Sequence, residues 1–300
     1  MRVTLIHNPT AGEDDHTADH LRSLVAEAGH EVSYTSMKQP DWQEALENAG
    51  DLVVVAGGDG SVGKVFREVA TKGTPVTLLP VGSANNIARS LGIPDVEVGR
   101  LVRGWEAGEH RRLDVGEATA PWGKTLFVES IGGGIFAEVL ARAEGVESAG
   151  IEVEGDEKID LGVEMLREVI GNIPAHEWRV EVDGEDLSGE LLAVEAMNIG
   201  QMGPNLPLAS HADPGDGLLD VVLVREEDRA NLVAYLSQRM RELDPALPGL
   251  RRTRGERVVL GPPEQVRLHV DDRLEVNGAP VVGTVAVSCG PSLTVLVPRV

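Results

Sequence analysis

The sequence predicts an α/β domain with a parallel sheet over residues 1–110, followed by a β-rich, antiparallel, sandwich-like domain over residues 111–300. Three observations predict this. Before Arg111, apolar runs alternate with segments of helical period. After it, short β-like segments are separated by Gly, Pro and Asp. The longest apolar runs, such as Leu52 to Ala56 and Leu219 to Val224, have strand length, well below the roughly 18 residues of a bilayer span.

In order, Val3 to His7 reads as a strand ended by Asn8-Pro9. Ala18, Leu21, Leu24, Val25 and Ala28 recur at helix spacing up to Gly29. Glu31 to Thr35 alternates as a strand, and Asp41 to Ala49 reads as a helix with Asp41 as N-cap. Asp51 to Ala56 is apolar on both faces, as in a buried parallel sheet. Gly57 to Ser61 reads as a tight loop, Val62 to Thr71 as a helix, Pro75 to Leu79 as a strand and Asn85 to Leu91 as a short helix. The β segments beyond Arg111 are interrupted by helical stretches near Phe136 to Ala143, Asp160 to Gly171 and Asp228 to Leu243. The acidic, Gly-rich stretch 144–158 reads as a mobile loop.

A net charge of -22 opposes binding to nucleic acid and to anionic membrane surfaces. The single cysteine, Cys289, excludes an internal disulfide, and the N-terminus lacks a leader's long apolar segment. A cytoplasmic protein is expected.

Three loops carry the candidate chemistry. Gly57-Gly58-Asp59-Gly60-Ser61 joins a strand to a helix. Its glycines admit close backbone approach, and the helix start offers free N–H groups to phosphate. Asp59 beside phosphate implies a bridging Mg²⁺. The same five residues read equally as a Gly-rich turn with Asp59 as a cap. Gly82-Ser83-Ala84-Asn85 follows the next strand and offers donors to a triphosphate, or simply caps a helix. Asn8-Pro9-Thr10-Ala11-Gly12 follows the first strand. All three fall at the carboxyl edge of the expected sheet, where open α/β sheets bind ligands.

Asn-Pro-x-x-Gly, Gly-Gly-Asp-Gly-Ser and the run Val81 to Pro94 together resemble the catalytic domain of the diacylglycerol kinases and bacterial lipid kinases. The resemblance continues through Arg111 to Gly116, Gly132 to Gly134, Asp213 to Asp220 and Leu293 to Pro298. It implies an ATP- and Mg²⁺-dependent kinase acting on a lipid hydroxyl, with the active site in a cleft between two domains and a last strand that returns to the first. Asn8, Thr35, Gly57 to Ser61 and Gly82 to Asn85 would then hold ATP and Mg²⁺. Asp213, Asp216 and the carbonyl of Leu218 would hold a second, structural Mg²⁺, although the two acids by themselves read as a solvated turn. A lipid acceptor is implied. Peripheral, transient membrane contact and a homodimer are compatible with this reading.

One departure bears on catalysis. Relatives place Asp-Gly-Glu after a late strand, with the glutamate as base, and here Asp271-Asp272-Arg273-Leu274-Glu275 follows Leu268-His269-Val270. Arg273 falls at the glutamate's place and cannot accept a proton. Asp272 or Glu275 would have to orient the acceptor hydroxyl. A non-catalytic nucleotide- or lipid-binding protein and a phosphotransferase resembling NAD kinase are the alternatives.

Overall fold

A computed structural model describes residues 1–12, 16–148, 155–241, 243–275 and 281–300. The chain divides into two compact units, Met1–Val115 with Pro291–Val300, and Gly116–Gly290.

In the first unit, β1 (Arg2–His7), β2 (Glu31–Ser36), β3 (Leu52–Gly57) and β4 (Val76–Pro80) form a parallel sheet in the order β2-β1-β3-β4. Every residue of β3 is buried, which is why that run is apolar on both faces. The crossovers are α1 (Ala18–Glu27), a 3₁₀ turn (Trp42–Leu46), and α2 (Asp59–Val69). Two short helices, α3 (Asn86–Ser90) and α4 (Val98–Arg103), follow β4.

The second unit is mixed but dominated by antiparallel strands. β5 (Glu109–Ala120) crosses the unit boundary and pairs with β6 (Gly123–Phe127). β7 (Ser130–Gly134) leads into α5 (Ile135–Ser148), and α6 (Gly155–Asn172) precedes β8 (His176–Val182). Then come β9 (Glu185–Asp186), β10 (Gly189–Leu191), β11 (Ala193–Met197), β12 (Leu219–Val224) and α7 (Arg229–Arg239). The chain closes through β13 (Arg251–Gly255), β14 (Arg257–Gly261), β15 (Leu268–Val270), β16 (Arg273–Leu274) and β17 (Val285–Val297). β17 begins beside β14 in the second unit and ends beside β4 in the first, with Val295 opposite Val76.

One antiparallel sheet runs β13-β12-β11-β7-β15-β16. Strand alternation gives it two buried faces. One packs Ile131, Val194, Ala196, Leu219 and Val221 against Trp178, Val180, Val258 and Val285 of the facing strands, which makes a sandwich. The other packs Ala193, Met197 and Val222 against α5, α6 and α7 through Ile135, Leu166 and Leu236. The expected fold class, parallel α/β followed by a β-rich sandwich-like part, is the observed one.

Three local expectations are corrected. The helix expected over 41–49 is a five-residue 3₁₀ turn, and Asp41 makes no side-chain cap bond. One short turn suffices to bury its two anchors, Trp42 and Leu46. Helix α2 starts at Asp59, so Asp59, Gly60 and Ser61 lie in its first turn instead of in a loop. Of the stretch expected to be a loop, 144–148 and 155–158 are helical, while 149–154 lie outside the described residues.

Candidate functional site

The three loops meet at the carboxyl edge of the parallel sheet, and glycines decide how closely. Asn8 continues the ladder, its N–H donating to Ala56 O at 2.9 Å. Its Nδ2 donates to Ser61 Oγ at 2.8 Å, and its Oδ1 accepts from Thr10 N and Oγ1 at 3.2 and 2.7 Å. Asn8 therefore ties the first loop to the first turn of α2. Gly12 has φ +81°, and a Cβ there would overlap the carbonyl of Val81. At Gly57 a Cβ would lie 2.6 Å from Ser61 Cβ. At Gly82 it would overlap Gly58 Cα. Loop two and loop three thus touch backbone to backbone, a contact that only glycine allows.

Helix α2 begins behind Gly58, which has extended φ and ψ and no side chain to cap the first-turn amides. Those amides have no intrahelical acceptor, and the helix dipole adds positive potential there. Within a chain of net charge -22, this helix start is a local region of positive potential, which favours an anion. Asp59, in that turn, accepts Asn86 N and Ile87 N at 2.9 Å each, so it caps α3 from 27 residues upstream. Asn85 adopts φ 52° and uses its own side chain on Gly82, accepting from Gly82 N at 3.1 Å and donating to Gly82 O at 2.6 Å. Asn85 is a brace of the third loop. Ser83 and Ala84 are half-buried on the same loop. Thr35 sits opposite Ile6, one residue before the end of β2. Beside it, His7 Nδ1 and Tyr34 Oη are 3.0 Å apart, and burial holds the His7 ring below its ordinary pKa.

The second unit carries the acids expected to handle the acceptor. β15 and β16 form a hairpin with Val270 opposite Arg273 and Asp271-Asp272 as its two-residue turn. Asp271, at φ 52°, is buried, and its carboxylate accepts Val128 N at 3.0 Å and Glu129 N at 2.8 Å. Asp272 and Arg273 are exposed and Glu275 is half-buried. Asp213 Oδ1 accepts Gly215 N at 3.1 Å, and Asp216 Oδ1 accepts Leu218 N at 2.9 Å. Asp216 Oδ2 lies 3.4 Å from Arg254. Each of the two carboxylates is thus engaged by backbone of its own turn, and Asp216 also by an arginine. Among the described residues, no cluster of three or more His, Cys, Asp or Glu side chains could hold a metal.

Sequence reasoning missed the buried pair Glu195 and His269, 2.9 Å apart and fully enclosed. The signal was available. Each is the one ionisable residue in an otherwise apolar strand, Ala193-Val-Glu-Ala-Met197 and Leu268-His-Val270. Asp114, within the Arg111 to Gly116 segment of the resemblance, is a buried acid 2.6 Å from Arg112 inside β5.

Comparison with known proteins bears on both units. Residues 2–118 match the diacylglycerol kinase catalytic domain, and residues 134–296 match the YegS C-terminal NAD kinase beta sandwich-like domain. A diacylglycerol kinase of Bacillus subtilis (strain 168) is 26% identical over 290 residues, covering 92% of this chain and 88% of its own. One from Staphylococcus carnosus (strain TM300) is 25% identical, covering 90% and 88%. The crystal structure of a diacylglycerol kinase from Bacillus anthracis str. Sterne superposes with TM-score 0.68 at 16% identity, covering 99% of this chain and 97% of that one. That last likeness concerns the fold alone. Among the described residues, no helix is long and apolar enough to cross a membrane.

Proposed function

Because the chain belongs to the bacterial lipid kinase family, which joins a diacylglycerol kinase catalytic domain to a YegS C-terminal beta sandwich-like domain, we propose that it transfers the γ-phosphoryl group of ATP to a hydroxyl of diacylglycerol or a related lipid. Family membership supports a kinase-type phosphotransferase that uses a nucleotide with a divalent metal. ATP, Mg²⁺ and the diacylglycerol-like acceptor are our finer reading. The observation that carries it is the closure of the three loops through Gly12, Gly57, Gly58 and Gly82 around the N-terminus of α2, which no side chain of Gly58 caps.

Phosphoryl transfer asks a protein mainly for positioning and charge neutralisation. The first-turn amides of α2 and the backbone of Gly82 to Ala84 would hold the phosphates. Asn8 and Asn85 keep those loops in register. Asp59 would hold Mg²⁺ through water, its carboxylate fixed in place by Asn86 N and Ile87 N. Magnesium, when bound, neutralises charge developing on the transferred group. Asp272 or Glu275 would orient the acceptor hydroxyl. Asp213, Asp216 and the carbonyl of Leu218 would hold the second, structural cation. Arg273, at the place where the family's base is expected, favours a second reading, a binding protein without turnover.

The test is acceptor-dependent ADP release over diacylglycerols, sphingoid bases and polyprenols, with Asp59→Asn as control. Release with one of these, lost in the variant, is expected. Calorimetric ATP binding without any release would establish the binding-protein reading. Phosphorylation of NAD would replace the lipid acceptor with a dinucleotide.

A further inference from the structure

Glu195, Gly132 and His269 lie abreast on three adjacent strands. Glu195 of β11 is opposite Gly132 of β7, and Gly132 is opposite His269 of β15. The outer two are therefore separated by two strand spacings, about 9–10 Å. Such residues do not ordinarily touch, because the side chain of the middle strand stands between them. Gly132 has none, and a Cβ there would overlap the Glu195 carboxylate. Glu195 reaches across the gap and meets His269 Nε2 with Oε1 at 3.0 Å and Oε2 at 2.9 Å. All three share the sheet face that α5, α6 and α7 cover, by alternation with Ala193 and Met197.

The other ring nitrogen faces the turn. His269 Nδ1 lies 2.9 Å from the Asp271 carbonyl, which can only accept, so Nδ1 carries a proton. Nε2 and the carboxylate then share one more. The ring is held at both ends, and one of those ends is the backbone of the turn that precedes Asp272. Beyond this ring contact, the hairpin is anchored by the pairing of β15 with β7 and by the bonds of Asp271 to Val128, Glu129 and Ser130. β15 and β16 are three and two residues long, with two paired positions. The β15–β16 ladder alone is too short to order the turn, so the turn depends on these contacts from outside it. Two apolar side chains would fill the same space without the cost of desolvating charge. They could not bond the Asp271 carbonyl.

We propose that Glu195 and His269 are positioning residues, a buried proton-sharing pair set across Gly132 that holds the β15–β16 turn and, through it, the acids Asp272 and Glu275. The proposal rests on the kinase reading for its effect on turnover, but not for its effect on the turn. The chain of contacts runs from Glu195 to the His269 ring and then to the Asp271 carbonyl. Asp271 in turn donates its N–H to Ser130 O at 2.8 Å and clamps Val128 and Glu129 with its carboxylate.

The experiment compares the full chain with Glu195→Gln and with the double variant Glu195→Leu/His269→Leu. Amide exchange is read at Val128, Glu129 and Asp271 against Val222 of β12 as a core reference. In Glu195→Gln, protection at Val128, Glu129 and Asp271 should fall at least tenfold relative to Val222. Acceptor-dependent kcat should fall at least tenfold, with the Kd for ATP within twofold of the parent. The double variant should recover thermal stability but neither turn protection nor kcat. An unchanged ratio of turn to core protection, or a double variant with a fully ordered turn, overturns the proposal. So does normal kcat with a loosened turn. If Glu195→Gln does not fold, the double variant carries the comparison. If no acceptor is turned over by the parent chain, the kinase reading fails and the exchange ratio still decides the positioning role.

Discussion

Replacing Gly82 with alanine isolates the contact that brings the second and third loops together. The new Cβ would overlap Gly58 Cα and approach both Gly58 N and Asn85 Oδ1 at 3.1 Å. Two of these three atoms are backbone, and the third belongs to the side chain that braces Gly82. Ordinary carbon contacts lie at about 3.5–4.0 Å, so the loops must part by roughly 1 Å. A misplacement of about 1 Å costs on the order of 10²-fold in positioned chemistry, or about 2.7 kcal/mol. Turnover should therefore fall by one to two orders of magnitude, and calorimetry should show weaker ATP binding. Thermal unfolding should shift only modestly, because the clash lies at the sheet edge and not in the core. Gly171→Ala in α6 is the matched control. A Cβ there meets nothing within 4 Å, and helix propensity should leave stability equal or slightly raised. Gly82→Ala with ATP affinity within twofold of the parent would refute the backbone-contact argument.

Three further outcomes follow from the same geometry. Asp59→Ala removes the acceptor for Asn86 N and Ile87 N and should cost about 1–2 kcal/mol in urea unfolding without nucleotide; an unchanged midpoint would mean that α3 does not need this cap. Burial pushes the Glu195 carboxyl above its ordinary value. Burial pushes His269 down, but Glu195 and the Asp271 carbonyl outweigh it and hold the ring above its ordinary value. The folded chain thus keeps a proton that the unfolded chain loses above about pH 6.5. Stability from this pair is full below that pH and declines as pH rises through the folded value, by at most about 1.4 kcal/mol per pH unit. Denaturation curves from pH 6 to 9 should show this decline in the parent and lose it in Glu195→Leu/His269→Leu. Finally, millimolar Mg²⁺ should raise the Tm of nucleotide-free protein by about 2 °C through Asp213 and Asp216, and Asp213→Asn/Asp216→Asn should abolish the rise. A rise that survives in that variant would place the cation elsewhere.

The sequence by itself determined what depends on neighbours in the chain. Leu52 to Ala56 is apolar at every position, and that alone marks a strand buried on both faces. The change from helical to two-residue period near Arg111 marks the passage from α/β to β-rich architecture. The Gly-containing turns after three strands mark the carboxyl edge of the parallel sheet, because strand, turn and helix succeed one another locally. Tertiary structure decided the rest. The turn residues Asp59, Gly60 and Ser61 fall within a helix because Gly58 takes the capping position. Asp59 serves a helix 27 residues away, and no local pattern encodes a cap at that distance. Gly132 is a glycine because Glu195, 63 residues further along the chain, and His269, 137 residues further along, must meet above it; only strand order and register bring Glu195 and His269 to either side of that position. Local periodicity carries information about which face is buried, whereas the meeting of three strands is set by the packing of the whole sheet.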